Sequence, residues 1–265
     1  MDTEFTPSHR GGSGSPLLLL HGFTDTWRTW DLVLPELERH HDVFAPTLPG
    51  HAGGPPLPSP VVQEEVLDQV EAMLDEAGIE TAHIAGNSLG GYLALRLAAR
   101  GRAKSVVALA PAGGWAVGDE TFRDTLEFFV TMKAQLDGAE AHIDSIVATP
   151  EGRRLATQFI TTNFEHIPAE LIAHQILGVI RCEGAAALIQ SGLDEGWSLD
   201  AEKVTCPVRM VWGTDDRVLA WPGSASRFQT DWLPNAEWIE LDGIGHCPQL
   251  DVPAEAAQLI LGRTA

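Results

Sequence analysis

The sequence contains few basic residues for its length. Its 265 residues include 17 lysines and arginines against 37 aspartates and glutamates, which gives a formal net charge of −20 at pH 7. An acidic surface of this kind repels the phosphates of nucleic acids and anionic lipid headgroups. We therefore expect neither nucleic acid nor a membrane as a partner, which leaves a small molecule as the expected ligand.

Cysteine is scarce as well. Cys182, Cys206 and Cys247 are far apart, and the sequence has no CxxC pair and no cluster of cysteine with histidine. Zinc sites and disulfide frameworks depend on such spacing. The sequence therefore predicts no metal site, and none of its motifs requires a cofactor.

Long apolar runs are missing. The longest early run is Leu17–Leu20, whereas a membrane-spanning helix needs about 20 apolar residues. The first residues, MDTEF, are acidic and lack the basic and then apolar order of a signal peptide. These features predict a cytoplasmic protein. They do not determine the oligomeric state, for which a homodimer is one option.

Short apolar runs alternate with amphipathic stretches along most of the chain. Such an alternation predicts a mostly parallel β-sheet that is covered by helices on both faces. The stretch at 11–16, GGSGSP, predicts a flexible lead-in to the first strand. Strands are predicted at 17–20, 42–45, 83–85, 105–110, 208–212 and 237–241, and helices at 29–39, 62–77, 89–100, 222–233 and 253–261.

The alternation is interrupted once, between residues 113 and 200. This stretch predicts helices only, at 121–136, 145–147, 153–161 and 169–181. We interpret it as a helical cap inserted between two strands of the sheet. The predicted organisation is therefore a core domain of residues 1–112 and 201–265 and a cap of residues 113–200.

Gly86-Asn87-Ser88-Leu89-Gly90 fits the pattern G-x-S-x-G. A strand precedes this motif and a helix follows it, so that Ser88 is predicted on a sharp strand-to-helix turn. Glycines beside the serine let the backbone make that turn. An exposed hydroxyl at a helix N-terminus is well placed to act as a nucleophile. The structural alternative is that Ser88 is an ordinary helix N-cap.

His21-Gly22-Phe23 directly follows the first predicted strand. A polar loop at this position places free backbone N–H groups at the carboxyl edge of the sheet, where ligand sites of α/β folds lie. We expect the amides of Phe23 and Leu89 to form an oxyanion hole. The His21 side chain is interpreted as fixing the loop, not as a base.

An acid and a histidine follow the last two strands. Asp215 and Asp216 come after the strand at 208–212, and His246 comes after the strand at 237–241. A histidine at a strand end can accept the proton of Ser88, and an acid that accepts its other N–H would fix the tautomer. From the residues alone either aspartate can fill that place.

The blocks LLLLHGF, TLPGHAGG, GNSLGGYLALRLA, WGTDDRVLAWP and GIGHCPQLDVPAE resemble, in order, those of the α/β-hydrolase superfamily of esterases, lipases, perhydrolases and carbon–carbon bond hydrolases. The resemblance covers nearly the whole chain outside the cap. It implies an eight-stranded, mostly parallel sheet, and it implies that Asp216 completes a triad with Ser88 and His246. Thr47, where relatives often have aspartate, is a departure that affects no catalytic role.

The nucleophile narrows the reaction. Superfamily members that open epoxides or displace halide resemble this chain but have aspartate at the position of Ser88, and the epoxide group has cap tyrosines. The single tyrosine here, Tyr92, lies outside the cap. The resemblance thus implies hydrolysis of a small, largely apolar carboxylic ester. Candidate pocket residues, which could equally pack cap against core, are Trp27, Trp30, Trp115, Phe122, Leu126, Phe129, Trp221 and Arg181.

Two alternatives stay open. Carbon–carbon bond hydrolases of diketone-like substrates resemble this chain in the asparagine before the serine and, partly, in Arg181-Cys182-Glu183. Against them, Cys247 stands where that group usually has tryptophan, and the HGFTDTW loop lacks their glycine-rich sequence. A non-catalytic receptor of the same fold is the second alternative, although an intact triad argues against it.

Overall fold

The computed structural model describes residues 4–136 and 138–264. These residues form one seven-stranded sheet in the order β1-β3-β2-β4-β5-β6-β7. Strand β1 runs antiparallel to β3, and all other neighbours are parallel. The strands are β1 Ser8–Gly12, β2 Ser15–Leu20, β3 His41–Pro46, β4 Ala82–Asn87, β5 Ala103–Leu109, β6 Val208–Gly213 and β7 Glu237–Leu241.

Ten α-helices accompany the sheet in the described part of the chain. Short 3₁₀ helices and one π-helical turn, Phe228–Trp232, lie between them. The α-helices are α1 Leu34–Leu37, α2 Gln63–Glu76, α3 Leu89–Ala99, α4 Thr121–Leu136, α5 Ile143–Val147, α6 Pro150–Thr157, α7 Ala169–Ile180, α8 Ala185–Glu195, α9 Pro248–Asp251 and α10 Pro253–Thr264.

The predicted mostly parallel α/β sheet is confirmed, but the expected number of strands is wrong. The described residues form seven strands, with the antiparallel β1 at one edge of the sheet and β7 at the other. The flexible lead-in predicted at 11–16 is wrong too. Gly11 and Gly12 end β1, and Ser15 begins β2.

The core has two layers because side chains alternate between the faces of the sheet. Leu18 and Leu20 of β2 join one buried cluster together with α2 and α3. Leu17 and Leu19 join the cluster on the opposite face, where α1 and α10 pack. All four leucines have no exposed surface, which explains why this strand reads as a continuous apolar run.

Helices α4 to α8 lie between β5 and β6 in the chain and include the predicted helical stretch. A third buried cluster joins α5 and α7 to Cys247 and Leu250 of the core. No single described helix is long and apolar enough to span a membrane, and α7 with α8 meets that test only as a pair bent by 65°. The cap boundaries at 113 and 200 stay a prediction.

Candidate active site

Ser88 lies at the turn between β4 and α3. Its φ of 54° and ψ of −117° are an unusual backbone conformation for a residue with a side chain. The side chain makes no N-cap hydrogen bond, so that the N-cap interpretation has no support. A Cβ at Gly90 would lie 2.5 Å from the carbonyl oxygen of His21, closer than real contacts allow. Glycine is therefore required for the turn to pack against the end of β2.

Asp216 and His246 are in direct contact. The Nδ1 of His246 lies 2.7 Å from Oδ2 of Asp216, and both residues are buried. The other carboxylate oxygen, Oδ1, accepts hydrogen bonds from the backbone amides of Val218 at 2.8 Å and Leu219 at 2.7 Å. The neighbouring Asp215 is exposed. The geometry thus brings Asp216, and not Asp215, to the histidine.

Asn87 ties the histidine loop to the serine turn. Its Nδ2 donates to the carbonyl oxygen of His246 at 3.0 Å and to that of Leu109 at 3.1 Å. Its Oδ1 accepts from the Cys247 thiol at 3.3 Å. Burial raises the pKa of that thiol well above its usual range, so Cys247 stays a neutral donor. Ser88 and His246 consequently face one common cavity.

The loop after β2 lies beside the nucleophile. A Cβ built on Gly22 would be 3.4 Å from Cβ of Ser88. Leu89 begins α3, so its amide belongs to the first helical turn, which has no intrahelical acceptor. Within residues 4–136 and 138–264, the amides of Phe23 and Leu89 donate to no other backbone group. Two free donors therefore lie near Ser88.

Both ring nitrogens of His21 are occupied. Its Nε2 accepts from the amide of Leu48 at 2.8 Å, so Nδ1 carries the proton that it donates to the carbonyl oxygen of Gly22, also at 2.8 Å. Burial, together with the nearby His51, holds the pKa of His21 well below its usual range. The neutral ring fixes the loop that carries Phe23, as its interpretation from the sequence requires.

Two cavities meet at Ser88. The first, the α3 cavity, runs along one face of α3 past Ser88, Leu89, Tyr92, Leu93 and Arg96. At 1.5 Å per residue these eight steps span about 12 Å. The polar side chains toward its Arg96 end already have partners. The Tyr92 hydroxyl donates to the carbonyl oxygen of Ser198 at 2.7 Å, and Arg96 pairs with Glu64.

The second cavity, the cap cavity, is larger and encloses about 1460 Å³ of space, including its open mouth. Its walls come from α4, α6 and α7 of the helical insertion and from the loop after β2. Phe23, Ser88, Phe129 and Val218 line both cavities. His246 lines the cap cavity and is absent from the described lining of the α3 cavity.

Three of the eight predicted pocket residues reach these cavities. Trp115 and Leu126 line the α3 cavity, and Phe129 lines both. Phe122 packs beside Trp115, with ring centroids 6.2 Å apart, and lines neither. Arg181 pairs with Glu140 and borders a separate surface pocket.

The remaining three predicted pocket residues are tryptophans that pack elsewhere. Trp30 is fully buried in the cluster on the opposite face of the sheet. Trp27 stacks on His9 and donates to Thr6. Trp221 packs between two other tryptophans of the core. Their sequence positions beside site loops did not reveal which face of the sheet they would occupy.

Asp25 and Gln175 are cavity residues that sequence reasoning missed. Both line the cap cavity, and Nε2 of Gln175 donates to Oδ2 of Asp25 at 3.3 Å. Burial raises the pKa of Asp25 to about 6. An acid three residues after His21-Gly22 was the available signal for Asp25, whereas nothing in the sequence of α7 distinguishes Gln175.

No group of three or more histidine, cysteine or acidic side chains in the described chain could hold a metal ion.

The comparison with known families is decisive for the fold. A model described as "Alpha/beta hydrolase family" matches residues 17–259. The chain belongs to the alpha/beta hydrolase family.

Curated relatives of this alpha/beta hydrolase carry different names. It is 35% identical over 196 residues to "Epoxide hydrolase EphH" of Mycobacterium tuberculosis, covering 73% of this chain and 90% of that one. It is 35% identical to "2-hydroxymuconate semialdehyde hydrolase" of a Pseudomonas species, over 96% and 88% of the two chains. It is 29% identical to "Pimeloyl-[acyl-carrier protein] methyl ester esterase" of Aromatoleum aromaticum, over 92% and 96%.

Proposed function

We propose that this alpha/beta hydrolase cleaves a small, largely apolar carboxylic ester through an acyl-enzyme on Ser88. The observation that carries the proposal is the buried 2.7 Å contact between His246 and Asp216 beside the cavity that Ser88 lines. An acid that accepts from Nδ1 leaves Nε2 of the histidine free to take a proton. Ser88, His246 and Asp216 are then the catalytic triad.

In the proposed mechanism, His246 takes the hydroxyl proton while Oγ of Ser88 attacks the ester carbonyl. The amides of Phe23 and Leu89 stabilise the negative charge on the carbonyl oxygen. His246 returns the proton to the leaving alcohol as the bond to that oxygen breaks. Water then attacks the acyl-enzyme with the same proton relay and releases the carboxylic acid, which restores Ser88.

The character of the cavities supports an apolar acyl group. The α3 cavity is lined mainly by aliphatic and aromatic side chains, and its polar end groups are already paired. An apolar wall favours a substrate whose chain leaves water on binding. The relative named a methyl ester esterase supports ester cleavage over nearly the full length of both chains.

Carbon–carbon bond hydrolysis is the second candidate. It is favoured by the relative named 2-hydroxymuconate semialdehyde hydrolase and by Asn87 before the serine. However, Arg181 of the partial cap motif is paired with Glu140 at a separate pocket and does not line the cap cavity. A substrate carboxylate therefore lacks that arginine as its partner, and ester cleavage is the better supported reaction.

Epoxide opening is not proposed, although one relative is named an epoxide hydrolase. Position 88 is serine, and the hydroxyl of Tyr92 is held between the backbone of Ser198 and Arg96. An epoxide oxygen would have to displace those partners to accept a proton from Tyr92.

A panel of nitrophenyl esters of increasing acyl length tests the proposal. We expect turnover that Ser88→Ala abolishes, and a serine-directed fluorophosphonate should label Ser88 in the wild type but not in the variant. The Asp215→Asn variant is the control because its side chain is exposed. An inert panel together with no labelling would support a receptor instead, and cleavage of a dienolic diketone without ester turnover would favour the second candidate.

A further inference from the structure

Two cavities meet at Ser88, and the proposed mechanism assigns one half of the substrate to each. In the proposed mechanism, on which this inference rests, His246 must reach the oxygen of the leaving alcohol to protonate it. His246 lines the cap cavity and is absent from the described lining of the α3 cavity. The alcohol half therefore lies in the cap cavity, and the acyl half lies along α3.

Asp25 belongs to the turn that follows β2 and packs beside Ser88. Its amide donates to the carbonyl oxygen of Gly22 at 3.2 Å, which closes a turn whose end residues lie within about 7 Å of each other. Gly22 in turn contacts Ser88, since a Cβ built on it would be 3.4 Å from Cβ of Ser88. The turn that carries Asp25 therefore begins beside the nucleophile, and Asp25 and Ser88 line the same cavity.

The Asp25 carboxylate keeps the ability to accept further hydrogen bonds. Oδ1 accepts from the amide of Thr26 at 2.8 Å, Oδ2 accepts from Nε2 of Gln175 at 3.3 Å, and the Thr29 side chain donates a third hydrogen bond to the carboxylate. The carboxylate lies deep in the protein, but part of the residue's surface is accessible because the cap cavity reaches it. An ionised carboxylate can accept about four hydrogen bonds.

Gln175 contributes a second acceptor at the same wall. Its side chain is only 8% exposed, and Oε1 has no hydrogen-bond partner within the described residues. A buried amide oxygen without a partner is unfavourable, and a ligand donor would relieve this.

The surroundings favour a positive or hydrogen-bond-donating ligand. Among the described residues that line the cap cavity there is no lysine or arginine, and the ionisable ones are Asp25, His246 and Cys247. Asp31, another acid near Asp25, is paired with Arg28 at 2.9 Å, and His174 hydrogen-bonds to Thr26 in the adjoining turn. The net charge of −20 also steers cations toward the protein.

We propose that Asp25 and Gln175 form a subsite that binds a hydrogen-bond donor, an ammonium or a hydroxyl group, on the alcohol half of the substrate. Both residues line the cap cavity, and no basic side chain of the described lining competes for their acceptor oxygens. The substrate class is then an ester with an apolar acyl group and an amino- or hydroxy-substituted alcohol.

Matched esters of one acyl group test this subsite. The 2-(dimethylamino)ethyl and 3-hydroxybutyl esters are compared with the 3-methylbutyl ester, which has nearly the same shape and no donor. We expect kcat/KM for a donor ester to exceed that of the 3-methylbutyl ester by about tenfold, as one hydrogen bond to a charged group would produce. The two donor esters distinguish an ammonium from a hydroxyl ligand.

Asp25→Asn should remove most of that preference, mainly for the ammonium ester. Its amide oxygen can still accept from Thr26, so the turn is retained. Gln175→Met removes the second acceptor together with the hydrogen bond that Gln175 donates to Asp25. Asp31→Asn, which removes one negative charge paired with Arg28 outside the cavity lining, should keep the preference. An equal loss of kcat/KM on all esters in Asp25→Asn would mean that Asp25 only holds the loop of Phe23. An unchanged ratio of kcat/KM between a donor ester and the 3-methylbutyl ester would also overturn the subsite.

Binding of free 2-(dimethylamino)ethanol, measured by calorimetry, separates the two proposals. We expect Asp25→Asn to weaken it about tenfold and Asp215→Asn, whose side chain is exposed and outside the cavity lining, to leave it unchanged. If no ester is hydrolysed but this binding difference is present, ester hydrolysis fails and the subsite stands. If esters are hydrolysed but the free alcohol binds wild type and Asp25→Asn equally, the subsite is refuted and the proposal of ester hydrolysis is retained.

Discussion

Replacing Asp216 by asparagine is the sharpest test of the proposed triad. Two backbone amides, from Val218 and Leu219, point at Oδ1 of Asp216. In Asp216→Asn they will hold the amide oxygen on their side, because an NH₂ group there would face two donors. The NH₂ group is then directed at Nδ1 of His246, which lies 2.7 Å from Oδ2 in the wild type.

Such an NH₂ group can only be accommodated if Nδ1 of His246 becomes an acceptor. The ring proton then moves to Nε2, and His246 can no longer accept the proton of Ser88. The wrong tautomer lowers kcat by about 10⁴-fold in triads of this kind. Because the shape of the side chain is kept, the melting temperature should change by only a few degrees, about the effect of one lost hydrogen bond.

The assay is steady-state hydrolysis of the best nitrophenyl ester by wild type, Asp216→Asn and Asp215→Asn. Asp215 is exposed, so its variant should stay within about threefold of wild type, since surface changes have small effects. Circular dichroism melting accompanies each measurement. Losses of similar size in the two variants, or an Asp216→Asn enzyme that stays active, would refute the assignment of Asp216 as partner of the histidine.

Two further predictions concern the turn and the buried acid. Gly90→Ala should lower the denaturant midpoint and the activity together, because its Cβ would overlap the carbonyl oxygen of His21. The control Gly223→Ala, whose Cβ would have no atom within 4 Å, should behave as wild type. Equal midpoints for the two variants would contradict the close approach at Gly90. Asp25, with a native pKa of about 6, holds its proton more tightly folded than unfolded, so wild-type stability should fall as pH rises from about 4 to 6. The melting temperature of Asp25→Asn relative to wild type should therefore increase between pH 4 and pH 7, and a constant difference would argue against the raised pKa.

The central strands could be predicted because they are buried on both faces. Strand β2 has four consecutive leucines without exposed surface, and no other local structure explains such a run at that length. Strand β1, SHRGG, has no apolar residue and is held by backbone pairing with β3 at the sheet edge. Nothing in its composition distinguishes it from a loop, which is why 11–16 was expected to be flexible.

The proposed catalytic residues could be predicted because each lies within five residues of the end of a strand. Strand ends at one edge of a parallel sheet converge, so Ser88, Asp216 and His246 are brought together by topology alone. The cavity walls depend instead on how helices turn their faces. Trp30 and Trp115 both lie near site loops in the sequence, yet one is buried beneath the sheet and the other lines the α3 cavity. That difference arises from tertiary packing and cannot be read from sequence spacing.

The meeting of two cavities at Ser88 affects what can follow the first chemical step. In the proposed mechanism the acyl group stays along α3 while the alcohol leaves the cap cavity. The cap cavity must then admit the water that His246 activates, since His246 lines only that side. An alcohol that binds well beside Asp25 would occupy the same space and could accept the acyl group in place of water. The protein would then act as an acyltransferase between alcohols, and the occupancy of one cavity would decide how often it hydrolyses.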